Sequence, residues 1–175
     1  MIASKQMTAE DFLAFAGQHP ERRFDFLDGE MVEVSPSRVH SRIQALIARL
    51  LGNYVDEHGF PAAAHTEALH ELDGVKFLPD VSVNRDEPGD LPYFTQPPLL
   101  AVEIRSETQS REAQRRKARA YIARGTALVW LVMPNEGVEV HRPGREPLAL
   151  LPDDTLDGGD VLPGFAVPVR RLFER

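Results

Sequence analysis

Leu99-Leu100-Ala101-Val102-Glu103-Ile104-Arg105 is an apolar run with a single acid near its middle, and together with the two segments after it this run decides the fold. A charged stretch, roughly Glu107 to Arg124, reads as a helix that stops at Gly125. A second apolar run, Ala127-Leu128-Val129-Trp130-Leu131-Val132, then reads as a strand buried on both faces. Strand, helix and strand in this order form a crossover between parallel strands, right-handed by the usual rule.

Upstream, the clearest helix spans about Arg38 to His58. Its apolar residues Ile43, Leu46, Ile47, Leu50, Leu51, Tyr54 and Val55 recur at helical spacing and form one stripe. Gly59 and Pro61 end it. A shorter helix is expected from Thr8 to before Pro20. Between the two helices, Phe24 to Leu27 and Met31 to Val34 flank Asp28-Gly29, the strongest short hairpin signal. Ala63 to Leu72 and Val75 to Val83 read as two strands joined at Asp73-Gly74. After a proline-rich connection from Asn84 to Pro98 comes the crossover unit. Val138 to Arg142 returns as a strand, and a tail from Val161 to Val167 is expected to be extended. The pattern predicts an α/β fold: a mixed sheet, helices on both faces and an N-terminal β-hairpin.

The chain has 175 residues, 42% hydrophobic and 27% charged, which suits a single domain with its own core, residues 1–175. No apolar run is long enough to cross a bilayer. The first residues lack the apolar stretch of a secretory signal. There is no cysteine, which excludes disulfides, thiolate metal sites and cysteine nucleophiles and fits a cytoplasmic protein.

Net charge is −7, which alone argues against avid nucleic-acid binding. Its distribution argues otherwise. Residues 105–124 hold seven basic and two acidic residues, a local +5 that leaves −12 for the rest. Arg111, Arg115 and Arg119 recur at i, i+4 and i+8, so they either track a phosphate backbone or pair with the acidic body.

Two acids sit inside strand-like runs: Asp80, closing Phe77-Leu78-Pro79-Asp80, and Glu103. A lone ionised carboxylate in such surroundings costs several kcal/mol or shifts its pKa. Two on neighbouring strands suggest a shared hard cation such as Mg²⁺, and with it phosphodiester chemistry. The alternative is two strand-end carboxylates facing solvent or paired with arginines. Side-chain alternation puts Asp80 and Ser82 on one face of their strand, and Ala101, Glu103 and Arg105 on one face of theirs. If the two strands are neighbours, the carboxylates converge at one sheet end. On the second helix Lys117 shares a face with Ala113, Ala120 and Tyr121, so it points at the sheet, either toward the carboxylates or merely packing its stem. Glu30, after the hairpin turn, and His40, opening the long helix, are further candidates, and Glu67 or Glu71 is expected to face the site. The six histidines show no metal-ligand spacing: His65 and His70, five apart on one strand, are expected to point to opposite faces. There is no P-loop, dinucleotide fingerprint or nucleophile elbow.

In order, Glu30, His40, Pro79-Asp80, Val102-Glu103-Ile104, Lys117 with Tyr121, Val129 to Val132 and Leu162-Pro163-Gly164-Phe165 resemble the Uma-two family of bacterial restriction endonucleases, from about residue 8 to 173. That family belongs to the PD-(D/E)xK nuclease superfamily. The resemblance implies a restriction-endonuclease-like core and Mg²⁺ (or Mn²⁺) bound by Asp80 and Glu103. It implies DNA as the partner and a homodimer as a common state. The superfamily's lysine normally lies two positions after the glutamate, where this chain has Arg105. In the family it lies on the following helix, matching Lys117, with Glu30, His40 and Arg105 as accessory residues. Ser106-Glu107-Thr108 and Ala113 depart from the family pattern, which keeps a second reading open. In that reading the chain is a decayed nuclease fold that binds nucleic acid or protein without cutting. In a third, structural reading, the Phe94 loop and the apolar tail serve self-association.

Overall fold

In the computed structural model, residues 9–19, 23–27, 30–34, 37–89, 91–106 and 109–174 are described. Helix α1 spans Ala9–Gln18, and strands β1 (Arg23–Leu27) and β2 (Glu30–Val34) form the expected antiparallel hairpin, Leu27 pairing with Glu30. The Thr8 start and the Asp28-Gly29 turn lie outside the described residues.

Helix α2 covers Arg38–His58, as its periodicity predicts. Ser37 caps it by accepting from the backbone N–H of His40 at 3.1 Å, and Gly59 closes it with a φ of 57°, a left-handed conformation natural to glycine. Ile43, Ile47, Leu51, Tyr54 and Val55 are buried, while Leu46 and Leu50 flank the stripe half-buried.

The central sheet is built from β3 (Ala63–Thr66), β6 (Val81–Asn84), β7 (Leu100–Ile104), β8 (Leu128–Met133), β9 (Gly137–His141) and β10 (Leu148–Leu150). Its order is β10-β9-β8-β7-β6-β3. Only β7 and β8 pair in parallel, and helix α3 (Arg111–Ala123) joins them, so the crossover decides the topology as expected. Alternation sorts β7 into two faces. Leu100, Val102 and Ile104 face α2 together with Trp130 and Val132. Ala101, Val129 and Leu131 face α3 through Ala118 and Tyr121. Each aliphatic side chain so buried contributes roughly 1.5–3 kcal/mol.

Three expectations are corrected. The long hairpin of Ala63–Leu72 and Val75–Val83 is two hairpins. β3 pairs with β6, whereas β4 (His70–Leu72) and β5 (Val75–Phe77) form a separate pair over the α3 face, with Leu72 and Phe77 beside Tyr121. The break falls where Glu67 adopts a φ of 52° on one side and where Pro79, opposite, carries no N–H for a ladder. Helix α3 starts four residues later than predicted, because Ser110 caps it by accepting from the Ala113 N–H. Glu107 and Thr108 lie outside the described residues.

The tail is extended but is no free surface. β12 (Leu162–Pro168) pairs with β11 (Thr155–Gly158), and a 3₁₀ turn (Val169–Leu172) comes after it. Leu162, Phe165 and Val167 are buried on the α2 side. Phe94 is likewise half-buried, its backbone bonded to Leu69 and Glu71. The two segments that the structural reading assigned to self-association make their contacts within the chain.

Candidate active site

The antiparallel register Val81↔Val102 places Asp80, one residue before β6, opposite Glu103. The two carboxylate-bearing residues thus sit at the same end of the β6–β7 pair. Asp80 Oδ2 accepts from the Ile104 N–H at 2.7 Å. His40 Nε2, at the start of α2 and almost fully buried, lies 3.3 Å from the same oxygen. The Asp80 carbonyl accepts from Gln44 Nε2 at 3.0 Å and from the Glu67 N–H at 3.3 Å. His40 and Gln44 are one turn apart on α2, so one helix face braces this aspartate from both its carboxylate and its carbonyl. Asp80 Oδ1 has no hydrogen-bond partner among the described residues, and the side chain keeps 20% of its exposure.

Glu103 is 3% exposed, on the α3 face of β7. Lys117 Nζ donates to its Oε2 at 2.8 Å and the Tyr121 hydroxyl donates to its Oε1 at 2.8 Å. Lys117 and Tyr121 are four residues apart on α3, so one helix turn supplies both partners. A carboxylate this deep is tolerated because a cation and a hydroxyl replace its water. Of the two uses weighed for Lys117, contact with a carboxylate is the one the structure holds.

The arginines take acidic partners. Arg105 and Arg111 both contact Glu136 in the turn after β8, Arg105 at 2.6 Å. Arg119 meets Glu112 at 2.6 Å. These pairs are partly to well exposed. Arg115 differs: it grips Glu139 of β9 with two bonds, at 2.9 and 2.6 Å, and Glu139 is nearly buried. Those bonds hold the Glu139 carboxyl below the usual carboxylate range. His141, 3.5 Å from Glu139, is pushed down by burial.

Glu30 opens β2, but its side chain is outside the described residues. Of the two acids on the broken strand, Glu67 neighbours the site: its Oε1 accepts from Gln44 Nε2 at 3.3 Å. Glu71 lies in β4, its N–H donating to the Phe94 carbonyl. His65 and His70 do not point apart. The turn at Glu67 ends β3, His70 restarts the chain in another sheet, and both imidazoles reach Asn84, at 3.2 and 2.8 Å. The sequence reading named Glu67 as one of two alternatives and missed Gln44 as a neighbour of Asp80. The i, i+4 spacing of His40 and Gln44 was the available signal, while Glu67 joins only through the strand break.

Two carboxylates with an open oxygen on Asp80 are hard donors of the kind Mg²⁺ and Mn²⁺ take. Mg²⁺ is commonly bound through only one or two carboxylates and retained waters. Among the described residues no three His, Asp or Glu side chains gather into a complete cage. The residues present fit a cation of this class that keeps part of its hydration.

The fold has relatives. Among solved structures, one described as a "putative nuclease belonging to DUF820 from Anabaena variabilis ATCC 29413" superposes with a TM-score of 0.77 over 87% of this chain and 90% of that one. At 24% identity it establishes the fold: a mixed α/β core shared with a nuclease-like neighbour. No curated protein matches the chain. No helix among the described residues is long and apolar enough to cross a membrane. The family profile described as "Putative restriction endonuclease" matches residues 9–170, which include Asp80, Glu103 and Lys117, and by that match the chain belongs to the Uma2 family.

Proposed function

We propose that the chain, acting as one domain, is a metal-dependent endonuclease that hydrolyses phosphodiester bonds of DNA in the cytoplasm. The observation that supports this reading is the placement of Asp80 and Glu103 at the same end of β6–β7, with Lys117 bonded to Glu103. Asp80 and Glu103 would hold Mg²⁺ or Mn²⁺, which when bound supplies Lewis-acid stabilisation and a more acidic water. His40, through Asp80 Oδ2, fixes the aspartate's rotamer. Lys117, bonded to Glu103 Oε2, offers positive charge where a phosphorane develops. Arg105 stays cationic at any working pH, which suits it to hold phosphate rather than to act as a base. Arg111 and Arg119, in exposed ion pairs, can exchange their acids for phosphate at little cost. Arg115 would join them only by releasing Glu139. Glu30 is assigned an accessory role from the family resemblance.

The test is calorimetric titration of Mn²⁺ into wild type and Asp80→Ala, beside nicking of supercoiled plasmid with Mg²⁺ or EDTA. Binding and nicking that both vanish in the variant support the reading. A variant that nicks as fast as wild type overturns it.

A second reading is a binding module without cleavage. It is favoured by Glu103, whose two oxygens already have partners within the chain, and by Ala113. It predicts salt-sensitive DNA binding indifferent to EDTA. The homodimer of the family resemblance would use exposed Leu148 of edge strand β10 and Leu151 just after it, rather than Phe94 or the tail.

A further inference from the structure

Between the end of β3 and residues 87–89 and 91–94 lies a cavity of about 480 Å³, with Glu67, a hydrogen-bond neighbour of Asp80, in its wall. That is within the range of small-molecule sites, roughly 300–1,000 Å³. Tyr93, Phe94 and Leu91 supply its apolar wall, and His65, Glu67 and Glu87 its polar groups. We propose that it receives one unpaired nucleobase of the substrate strand, so that the preferred target carries an unpaired nucleotide beside the cleaved bond. This rests on the nuclease reading above and names the substrate class for the same site.

Position argues for it first. Glu67 belongs both to the cavity wall and to the surroundings of Asp80: its N–H donates to the Asp80 carbonyl, and Gln44 Nε2 contacts both residues. Glu67 also holds a φ of 52°, unusual for a residue with a side chain, and such conformations concentrate at functional sites.

Chemistry argues for it second. Among the described residues no lysine or arginine lines the cavity, and two carboxylates do, so a phosphate is repelled from it. Flat rings beside hydrogen-bond acceptors suit instead a neutral aromatic group bearing N–H donors, which describes a nucleobase edge. Glu87 is engaged by the Thr95 hydroxyl and the N–H groups of Thr95 and Gln96, and so anchors the loop. An ionised carboxylate accepts several hydrogen bonds at once, so Glu67, which already accepts from Gln44 Nε2, can accept from the base as well. Phe94 is held in place by stacking on His70 at 5.1 Å and by an edge contact with His65 at 5.2 Å. Tyr93, half-buried, has no hydrogen bond or ring contact among the described residues, which leaves its ring available for stacking.

The experiment uses duplex DNA with a single-stranded flap carrying 2-aminopurine, and the same label in a fully paired duplex, titrated in EDTA so that nothing is cut. Wild type and Asp80→Ala are expected to prefer the flap and to quench its fluorescence. Tyr93→Ala should bind the flap at least about fivefold more weakly, with paired DNA unaffected, and Tyr93→Phe should behave as wild type. Equal binding of flap and paired DNA, or a Tyr93→Ala that folds and binds as wild type, overturns the proposal. Cleavage with Mg²⁺ separates the two readings. Paired DNA cut equally well by wild type and Tyr93→Ala removes the base pocket and keeps the nuclease. Flap binding that depends on Tyr93, with no cut product from any substrate, keeps the pocket and removes the nuclease.

Discussion

Lys117 Nζ lies 2.8 Å from Glu103 Oε2, joining the helix of the crossover to the strand that precedes it. The lysine side chain is 13% exposed and the glutamate 4%, so water screens the pair poorly. The bond therefore ties the candidate site to the integrity of the fold, because whatever removes the lysine leaves a buried carboxylate without its cation.

Lys117→Met should accordingly lower stability by roughly 3 kcal/mol. Adding Glu103→Gln in the same chain should recover part of that loss, since the uncompensated charge is gone. Urea unfolding of the two single variants and the double variant reads the coupling directly, and strictly additive losses would show the pair to be uncoupled.

Asp80→Asn should separate chemistry from folding. An asparagine oxygen can still accept from the Ile104 N–H, so the urea midpoint should move by no more than about 1 kcal/mol equivalent. The hard anionic donor is lost, and plasmid nicking should fall below detection. A nicking rate near wild type would remove Asp80 from the site.

The helix arginines should divide by burial of their partners. Arg115→Ala abandons the nearly buried Glu139 and should lower the urea midpoint much more than Arg119→Ala, whose partner Glu112 is exposed. Arg119→Ala should instead weaken DNA binding and reduce the salt slope by about one unit. Salt titrations of both variants against one duplex decide between these roles.

Acid should unfold the protein in two stages. Burial holds both His70 and His141 below the ordinary value of 6.5. Around His141, Glu139 acts to raise it, while Arg115 and Arg119 act to lower it. The unfolded chain binds protons at these imidazoles near pH 6.5 and the folded chain does not, so stability falls as pH drops through that value. Glu139, held low by Arg115, contributes stability above its ordinary value of 4.5 that is lost only in stronger acid. Urea midpoints between pH 7.5 and 4 should show the first decline near pH 6.5, and His141→Gln should flatten it.

The crossover β7–α3–β8 and helix α2 were legible in the sequence because their causes are local. An apolar run, a cap, a terminating glycine and a 3.6-residue stripe act within a few residues of one another. The same holds for Lys117 and Tyr121, whose i, i+4 spacing already put them on one helix face. Asp80 and Glu103 stood out because acids are costly in apolar strands. What the sequence could not decide was partnership across the chain. The β6–β7 register sets Asp80 opposite Glu103, and the packing of α3 on the sheet turns Lys117 toward it. Glu136 and Glu139 claim Arg111 and Arg115 across 25 and 24 residues of chain. The break at Glu67, which brings His65 and His70 to one Asn84 and sets Glu67 in the cavity wall, results from two strands choosing different sheets. Those outcomes depend on pairings between distant segments, and no periodicity within either segment encodes them.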